Sequence, residues 1–165
     1  YQKSKDMRSR AGFYEESDIN ISPIYGFDFD GVICSVFSFG RLDNWLWNKL
    51  PRLWGYFAHR LVRPNWQIID KIGMQSVIIT GRPSYEKKLT LKQMKKWGIG
   101  DIPLYLDKIK IKPDRNKSIK FKVEMIKKLN LFEFYEDDLE TIEVLRKEIP
   151  DLKIYGKIYN KYNRG

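Results

Sequence analysis

The chain has 165 residues, 42% hydrophobic and 32% charged, which is enough for one domain with its own core and too little for two. Lys and Arg number 31 against 21 Asp and Glu, and the net charge of +10 favours polyanionic partners, nucleic acid first and acidic membrane surfaces as the alternative. No apolar run reaches the roughly 20 residues of a transmembrane helix, and the one cysteine, Cys34, excludes an intrachain disulfide and a CxxC metal site and fits a reducing compartment such as the cytoplasm. The first residue is Tyr1 and not Met, so organelle targeting by a removed leader, or a longer parent chain, stays open.

Residues 1–23 are polar, with Lys3, Lys5, Arg8 and Arg10 ahead of Glu15, Glu16 and Asp18. They are expected to form an arm that lies on the domain or on a partner. In "IYGFDFDG" the strand formers Tyr25, Phe27 and Phe29 stand between Pro23 and Gly31, which predicts a short buried strand over 24–30. That strand carries Asp28 and Asp30, and burying a lone carboxylate costs roughly several kcal/mol unless it is paired, hydrogen-bonded or metal-bound. An edge strand with Asp28 facing solvent and Asp30 capping a turn is the alternative. Residues 35–65 mix Phe37, Phe39, Trp45, Trp47, Trp54, Tyr56 and Phe57 with Arg41, Lys49, Arg52, Arg60 and Arg63, and are expected to contain short helices.

From Asn65 the pattern is regular. A short helix "NWQIIDKIG" leads to the strand "SVIIT", whose unbroken apolar run suits a strand covered on both faces. A helix over about 84–97, with Leu89, Met94 and Trp97 on one side, should end at Gly98 or Gly100. "IPLYL" and "FEFYE" read as strands, with a helix between them whose apolar stripe is Phe121, Met125, Ile126 and Leu129. Leu139, Ile142, Leu145 and Ile149 mark the next helix, Pro150 stops it, and "LKIYG" is the last strand. Alternating strands and helices predict an α/β fold with a central parallel sheet and helices on both faces. Chemistry in such a fold belongs at the carboxyl ends of the strands.

The unusual polar groups fall at those ends: Asp28 and Asp30 after the first strand, Thr80, Gly81 and Arg82 after the second, Glu136, Asp137 and Asp138 after the fourth. Lys117, Lys120 and Lys122 stand just before or at the start of the helix that leads into the fourth strand. A carboxylate nucleophile, a hydroxyl beside backbone N–H groups, a lysine and further carboxylates could together hold a phosphoryl group and a divalent ion.

In this order "FDFDGVI", "VIITGRP", a helix-start lysine and "YEDD" resemble the four motifs of the haloacid dehalogenase (HAD) superfamily of phosphohydrolases, over about Ile24 to Tyr155. The resemblance implies a Rossmann-like core, with Asp28 as the nucleophile that forms an aspartyl-phosphate. Asp30 would be the general acid and then the base, its backbone carbonyl also ligating Mg2+. Thr80 would bind phosphoryl oxygens, and a lysine would neutralise them and orient Asp28. Lys122 is preferred for this role, with Lys120 and Lys117 as alternatives. Asp137 with Glu136 would complete the metal site, leaving Asp138 as a helix cap. Hard oxygen ligands favour magnesium over zinc.

Within the superfamily, the stretch from "IPLYL" to "FYEDDLETIEVL" is most similar to the phosphatase half of polynucleotide kinase-phosphatases, which implies that Arg82 contacts the phosphate or its nucleotide. Residues 107–122 carry seven basic and two acidic groups, which would attract a nucleic-acid backbone; a solvated loop is the plainer reading. The family places its substrate-selecting cap between the first two motifs, so residues 35–65 are expected to be a small cap on a phosphatase domain of residues 24–165. The insert's tryptophans could stack on bases, form the cap's own core, or dock on a membrane or protein partner. His59 stands apart from every motif and is expected to be a surface or core residue and not a ligand; Cys34 is expected to be a buried packing residue. The rival functions are a small-molecule phosphatase or nucleotidase, and a catalytically silent basic subunit of a nucleoprotein complex.

Overall fold

The computed structural model describes residues 25–35, 49–108 and 114–156. The expected polar arm at 1–23, the aromatic run from Phe37 to Trp47, the side chains of Arg52, Trp54 and Tyr56, and residues 109–113 of the basic segment lie outside these.

Five parallel strands form the central sheet. In chain order they are β1 (Tyr25–Phe27), β4 (Ser76–Pro83), β5 (Leu104–Asp107), β6 (Glu133–Tyr135) and β7 (Lys153–Tyr155), arranged in space as β5-β4-β1-β6-β7. The chain moves outward from β1 to β4 and β5, then crosses to β6 on the other side. This doubly wound order leaves a crevice at the carboxyl end of β1, where the direction of winding reverses.

The apolar runs explain why the sheet is covered on both sides. Ile78 joins Phe27, Phe29, Met94 and Trp97 on one face, while its neighbours Val77 and Ile79 join Ile119, Ile126, Phe134 and Leu145 on the other. Successive side chains of one strand point to opposite faces, so a continuous apolar strand needs two cores. Helix α3 (Lys87–Lys96) covers the first, and α4 (Arg115–Leu129) and α5 (Leu139–Glu148) cover the second.

Each helix departs from its expected stripe. On α3 the buried residues are Thr90, Gln93 and Met94, two of them polar. On α4 they are Ile119, Lys122, Val123 and Ile126, with Phe121, Met125 and Leu129 flanking them, partly buried. Leu139, at the first position of α5, is exposed, and the buried face starts at Thr141 and Ile142. The helix expected at 84–97 opens with a 3-10 turn, Ser84–Glu86, and ends where Gly98 takes a positive φ of 77° and Ile99 N–H bonds back to the Met94 carbonyl.

The insert is anchored at its two ends. A two-stranded antiparallel ribbon pairs β2 (Cys34–Ser35) with β3 (Arg63–Pro64), bringing the entry and exit of the 35–65 segment side by side. Helix α1 (Pro51–Arg60) lies between them, and the short α2 (Trp66–Ile69) follows the ribbon. The Asn65 side chain donates to the Val32 carbonyl and its backbone N–H to the Ile33 carbonyl, strapping the segment after β1. No helix among the described residues is long and apolar enough to cross a membrane.

Candidate functional site

The first strand is shorter than expected. Its pairing ends at Phe27, and residues 28–34 turn back on themselves through Gly31 N–H to the Cys34 carbonyl (2.7 Å) and Cys34 N–H to the Phe29 carbonyl (3.0 Å). The strand alternation that would put Asp28 and Asp30 on the same side therefore does not govern them. Asp28 engages α4 and the end of β6, whereas Asp30 engages the end of β4 and the end of α1. Gly31 makes this turn possible: its φ is +83°, and a Cβ there would lie 2.0 Å from the Asp137 carboxylate.

On the Asp28 side, Lys122 Nζ lies 2.9 Å from Asp28 Oδ2 and 2.6 Å from Glu136 Oε2, all three residues being buried. Glu136 Oε1 accepts from Asp138 N–H, and Asp28 Oδ1 accepts from Phe29 N–H. Asp28, Glu136 and Asp137 each offer a carboxylate oxygen, and the three atoms lie within 4.8 Å of one another. Two carboxylates thus contact the one ammonium, and a third, Asp137, stands beside them. Burial, with Glu136 and Asp30 nearby, pushes Asp28 up to about 7 despite Lys122. Burial and Asp28 raise Asp137 to about 6, and burial raises Glu136. Lys122 moves the other way: burial opposes its charge, but its two carboxylate partners outweigh that and hold it protonated well above neutrality. The surplus of negative charge and the all-oxygen donor set fit a hard divalent cation.

Helix α4 resolves the three lysines geometrically. It starts at Arg115, capped by Asp114, so Lys122 lies two turns in and on the same face as Ile119, Val123 and Ile126. Lys117 and Lys120 point outward, side chains 74% and 78% exposed, near Asp114 and Glu124 respectively. They lie away from the carboxylates. Asp138 caps α5, accepting from Thr141 N–H and Oγ1–H, and pairs with Arg115.

On the Asp30 side the charges are matched. The Arg82 guanidinium donates through Nε to Asp30 Oδ2 (2.6 Å) and through NH2 to Asp30 Oδ1 (2.5 Å). NH1 donates to Gln93 Oε1 (2.7 Å) and Thr90 Oγ1 (3.2 Å), and NH2 also lies 3.9 Å from Cys34 Sγ. Its plane covers the Phe29 ring at 4.3 Å. A register shift between Thr80 and Pro83 aims this side chain inward: two residues, Gly81 and Arg82, bulge out opposite the single step from Leu106 to Asp107. Arg82, expected on the substrate phosphate, is 2% exposed with every N–H committed inside the protein, so here it holds Asp30 and not an outside group. Although burial favours the neutral acid, Arg82, with His59 in support, holds Asp30 down to about 2. Arg82 and His59 thus favour the carboxylate form of Asp30, the form that accepts a proton.

Thr80 is buried within β4, directly before the register shift, its Oγ1 accepting from Arg82 N–H at 3.3 Å. Gly81 follows, where a Cβ would lie 2.2 Å from Ser118 Oγ, so the first turn of α4 crosses over this strand end. Ser118 was not singled out by sequence. Nor were Glu86, Thr90 and Gln93, although their spacing puts three polar groups on the inward face beside Met94. His59, expected on the surface or in the core, is in the core, with Nε2 3.7 Å from Asp30 Oδ2 and Nδ1 2.5 Å from Glu86 Oε2. No motif or spacing pointed to it.

A doubly wound α/β domain with a carboxylate cluster and one lysine at the switch point is the class that fold and geometry define. No family model and no curated protein matches the sequence. Among solved structures, the fold is similar to a chain in the structure of the Pnkp1/Rnl/Hen1 RNA repair complex, with TM-score 0.61 and 14% identity over 95% of this chain and 49% of that one. A second structure of a Pnkp1/Rnl/Hen1 complex gives TM-score 0.59 and 15% identity over 98% of this chain and 58% of the other. The chain therefore spans about half the length of the chains it resembles, and at this identity the likeness is one of fold.

Proposed function

We propose that this chain is a magnesium-dependent phosphohydrolase of the HAD type that removes a terminal phosphate from a nucleic acid or nucleotide. The observation that carries the reading is the buried Asp28–Lys122–Glu136 arrangement, with Asp137 beside it, at the carboxyl edge of a parallel sheet. Its fold neighbours, chains of Pnkp1/Rnl/Hen1 complexes, support processing of nucleic-acid ends, as does the net charge of +10. Residues 24–165 would be the phosphatase domain, 1–23 an arm and 35–65 a small cap.

In this reading an Asp28 oxygen attacks phosphorus, the bond to the alkoxy oxygen breaks, and that oxygen takes a proton from solvent and leaves as the alcohol. Water then attacks phosphorus, Asp30 takes the water's proton, and the bond to Asp28 breaks to release inorganic phosphate. Lys122 aims Asp28 and favours its ionised form against the pull of burial, and Thr80 with the adjacent backbone N–H groups is suited to the phosphoryl oxygens. Mg2+ held by Asp28, Glu136 and Asp137 would neutralise charge on the phosphoryl group.

The test is phosphate release, with Mg2+, from 3'- and 5'-phosphorylated oligonucleotides, mononucleotides and an aryl phosphate. The wild type is expected to act on one oligonucleotide end, and Asp28→Asn to lose about 10³-fold or more while remaining folded. Turnover of small substrates alone would point to a nucleotidase. Binding of nucleic acid with no turnover would point to a silent subunit and end the catalytic reading.

A further inference from the structure

Helix α1 belongs to the insert, yet its last turn is built into the core. Ala58 and His59 are buried there, while Phe57 in the same turn and Leu53 in the turn before are exposed. Three contacts fix His59: Nδ1 to Glu86 at 2.5 Å, Nε2 toward Asp30 Oδ2 at 3.7 Å, and its carbonyl accepting from Gln93 Nε2 at 2.6 Å. Gln93 in turn accepts from Arg82, and Arg82 grips Asp30. The contacts close a ring, Asp30–Arg82–Gln93–His59–Asp30, drawn from the ends of β1 and β4, from α3 and from α1. Glu86, 1% exposed at the foot of α3, holds the imidazole from behind.

We propose that His59 is a positioning residue: it orients the Asp30 carboxylate from the side opposite Arg82 and latches the insert helix onto the core. Arg82 alone fixes Asp30 against α3, and nothing in that pair registers α1. His59 does both, because one ring nitrogen faces Asp30 while the other nitrogen and the backbone carbonyl are tied to α3 and the turn before it. The insert is thereby coupled to the proton-accepting group. The catalytic half of this proposal rests on the phosphoryl-transfer reading; the latch does not.

Two readouts separate them. Cys34 Sγ lies 3.5 Å from Asp30 Oδ1 and is fully buried, so its alkylation by iodoacetamide reports opening of the ring without any need for turnover. His59→Ala is expected to accelerate labelling about tenfold through local opening. Leu145→Ala, in the core on the far face of the sheet, controls for a general loss of stability and should accelerate it much less. His59→Asn can still bond Glu86 and should label nearly as slowly as wild type.

The second readout uses a nitrophenyl phosphate, whose leaving group needs no proton, so kcat/KM reports formation of the phosphoenzyme and kcat its breakdown. Both His59 variants should lower kcat and KM together, about tenfold, with kcat/KM held within about threefold. Equal Cys34 labelling of wild type and His59→Ala overturns the latch. A fall in kcat/KM as large as that in kcat overturns the positioning role. If the wild type releases no phosphate but His59→Ala still exposes Cys34, the phosphoryl-transfer reading and the positioning role fall, and the latch stands.

Discussion

Asp28 and Asp30 are two residues apart, yet the protein treats them in opposite ways. Around Asp28 there are too many carboxylates for the one ammonium, and burial drives its proton affinity up. Around Asp30 a guanidinium spends all its donors, a histidine stands on the other side, and the proton affinity is driven down. One half of the site is a charge imbalance that a cation and a phosphoryl group could relieve; the other is a closed, self-satisfied network. Both are largely removed from water, Asp28 more so than Asp30 (side chains 9% and 23% exposed), and the number and sign of the partners set the two directions apart.

The comparison can be broken most forcefully at Arg82. Arg82→Met strands the Asp30 carboxylate together with Thr90 and Gln93, and is expected to destabilise the fold by about 3–5 kcal/mol in urea denaturation. Asp30→Asn in the same background should recover part of that loss. A shift below about 1 kcal/mol would show that the ring is not the closed network described.

On the Asp28 side the expected effect is stabilisation by Mg2+. At 100 times its dissociation constant the ion should add about 2.7 kcal/mol, read as a rise in melting temperature that Asp137→Asn removes. The pH dependence follows from the same surplus. Asp28 titrates at about 7 in the folded protein against an ordinary 3.8, and Asp137 at about 6, so between pH 4 and 7 the folded state binds protons that the unfolded state has lost. Without Mg2+, stability should fall as pH rises through that window, on the order of 2 kcal/mol. Asp30 acts with the opposite sign at lower pH, its contribution being complete above 3.8 and lost as pH falls toward 2. Urea midpoints from pH 2 to 8 with a chelator present test both limbs. The smallest change is expected at Lys120, whose pairing with Glu124 is solvent-exposed: Lys120→Ala should alter stability by less than about 0.5 kcal/mol.

Much of this was legible in the sequence. The unbroken apolar run "SVIIT" foretold a strand with a core on each side, and alternation of strands with helices foretold the parallel sheet. Placing Asp28, Thr80, Glu136 and Asp137 near strand ends followed from the same map. What was not legible lies where local pattern yields to tertiary contact. The expected strand runs to residue 30, but its pairing ends at Phe27 and the chain turns at Gly31. The expected stripe on α4 (Phe121, Met125, Ile126 and Leu129) shares only Ile126 with the buried face, whose Ile119, Val123 and Ile126 flank Lys122, and that spacing points to the buried lysine. Arg82 is assigned to an outside phosphate by resemblance alone, and its actual partners Thr90 and Gln93 sit on a helix face expected to be apolar. His59 could not be found at all, since its contact with Asp30 joins residues far apart in sequence with no shared motif.

The central claim is that Asp28 carries the phosphoryl group, and the most direct test is to trap it there. Wild-type protein mixed with Mg2+ and a substrate labelled in its terminal phosphate, quenched in acid within the first turnovers, should retain label that hydroxylamine releases and that maps to the peptide containing Asp28. Asp28→Asn should retain none. Phosphate release by wild type with no label on that peptide, or undiminished release by Asp28→Asn, would contradict the account.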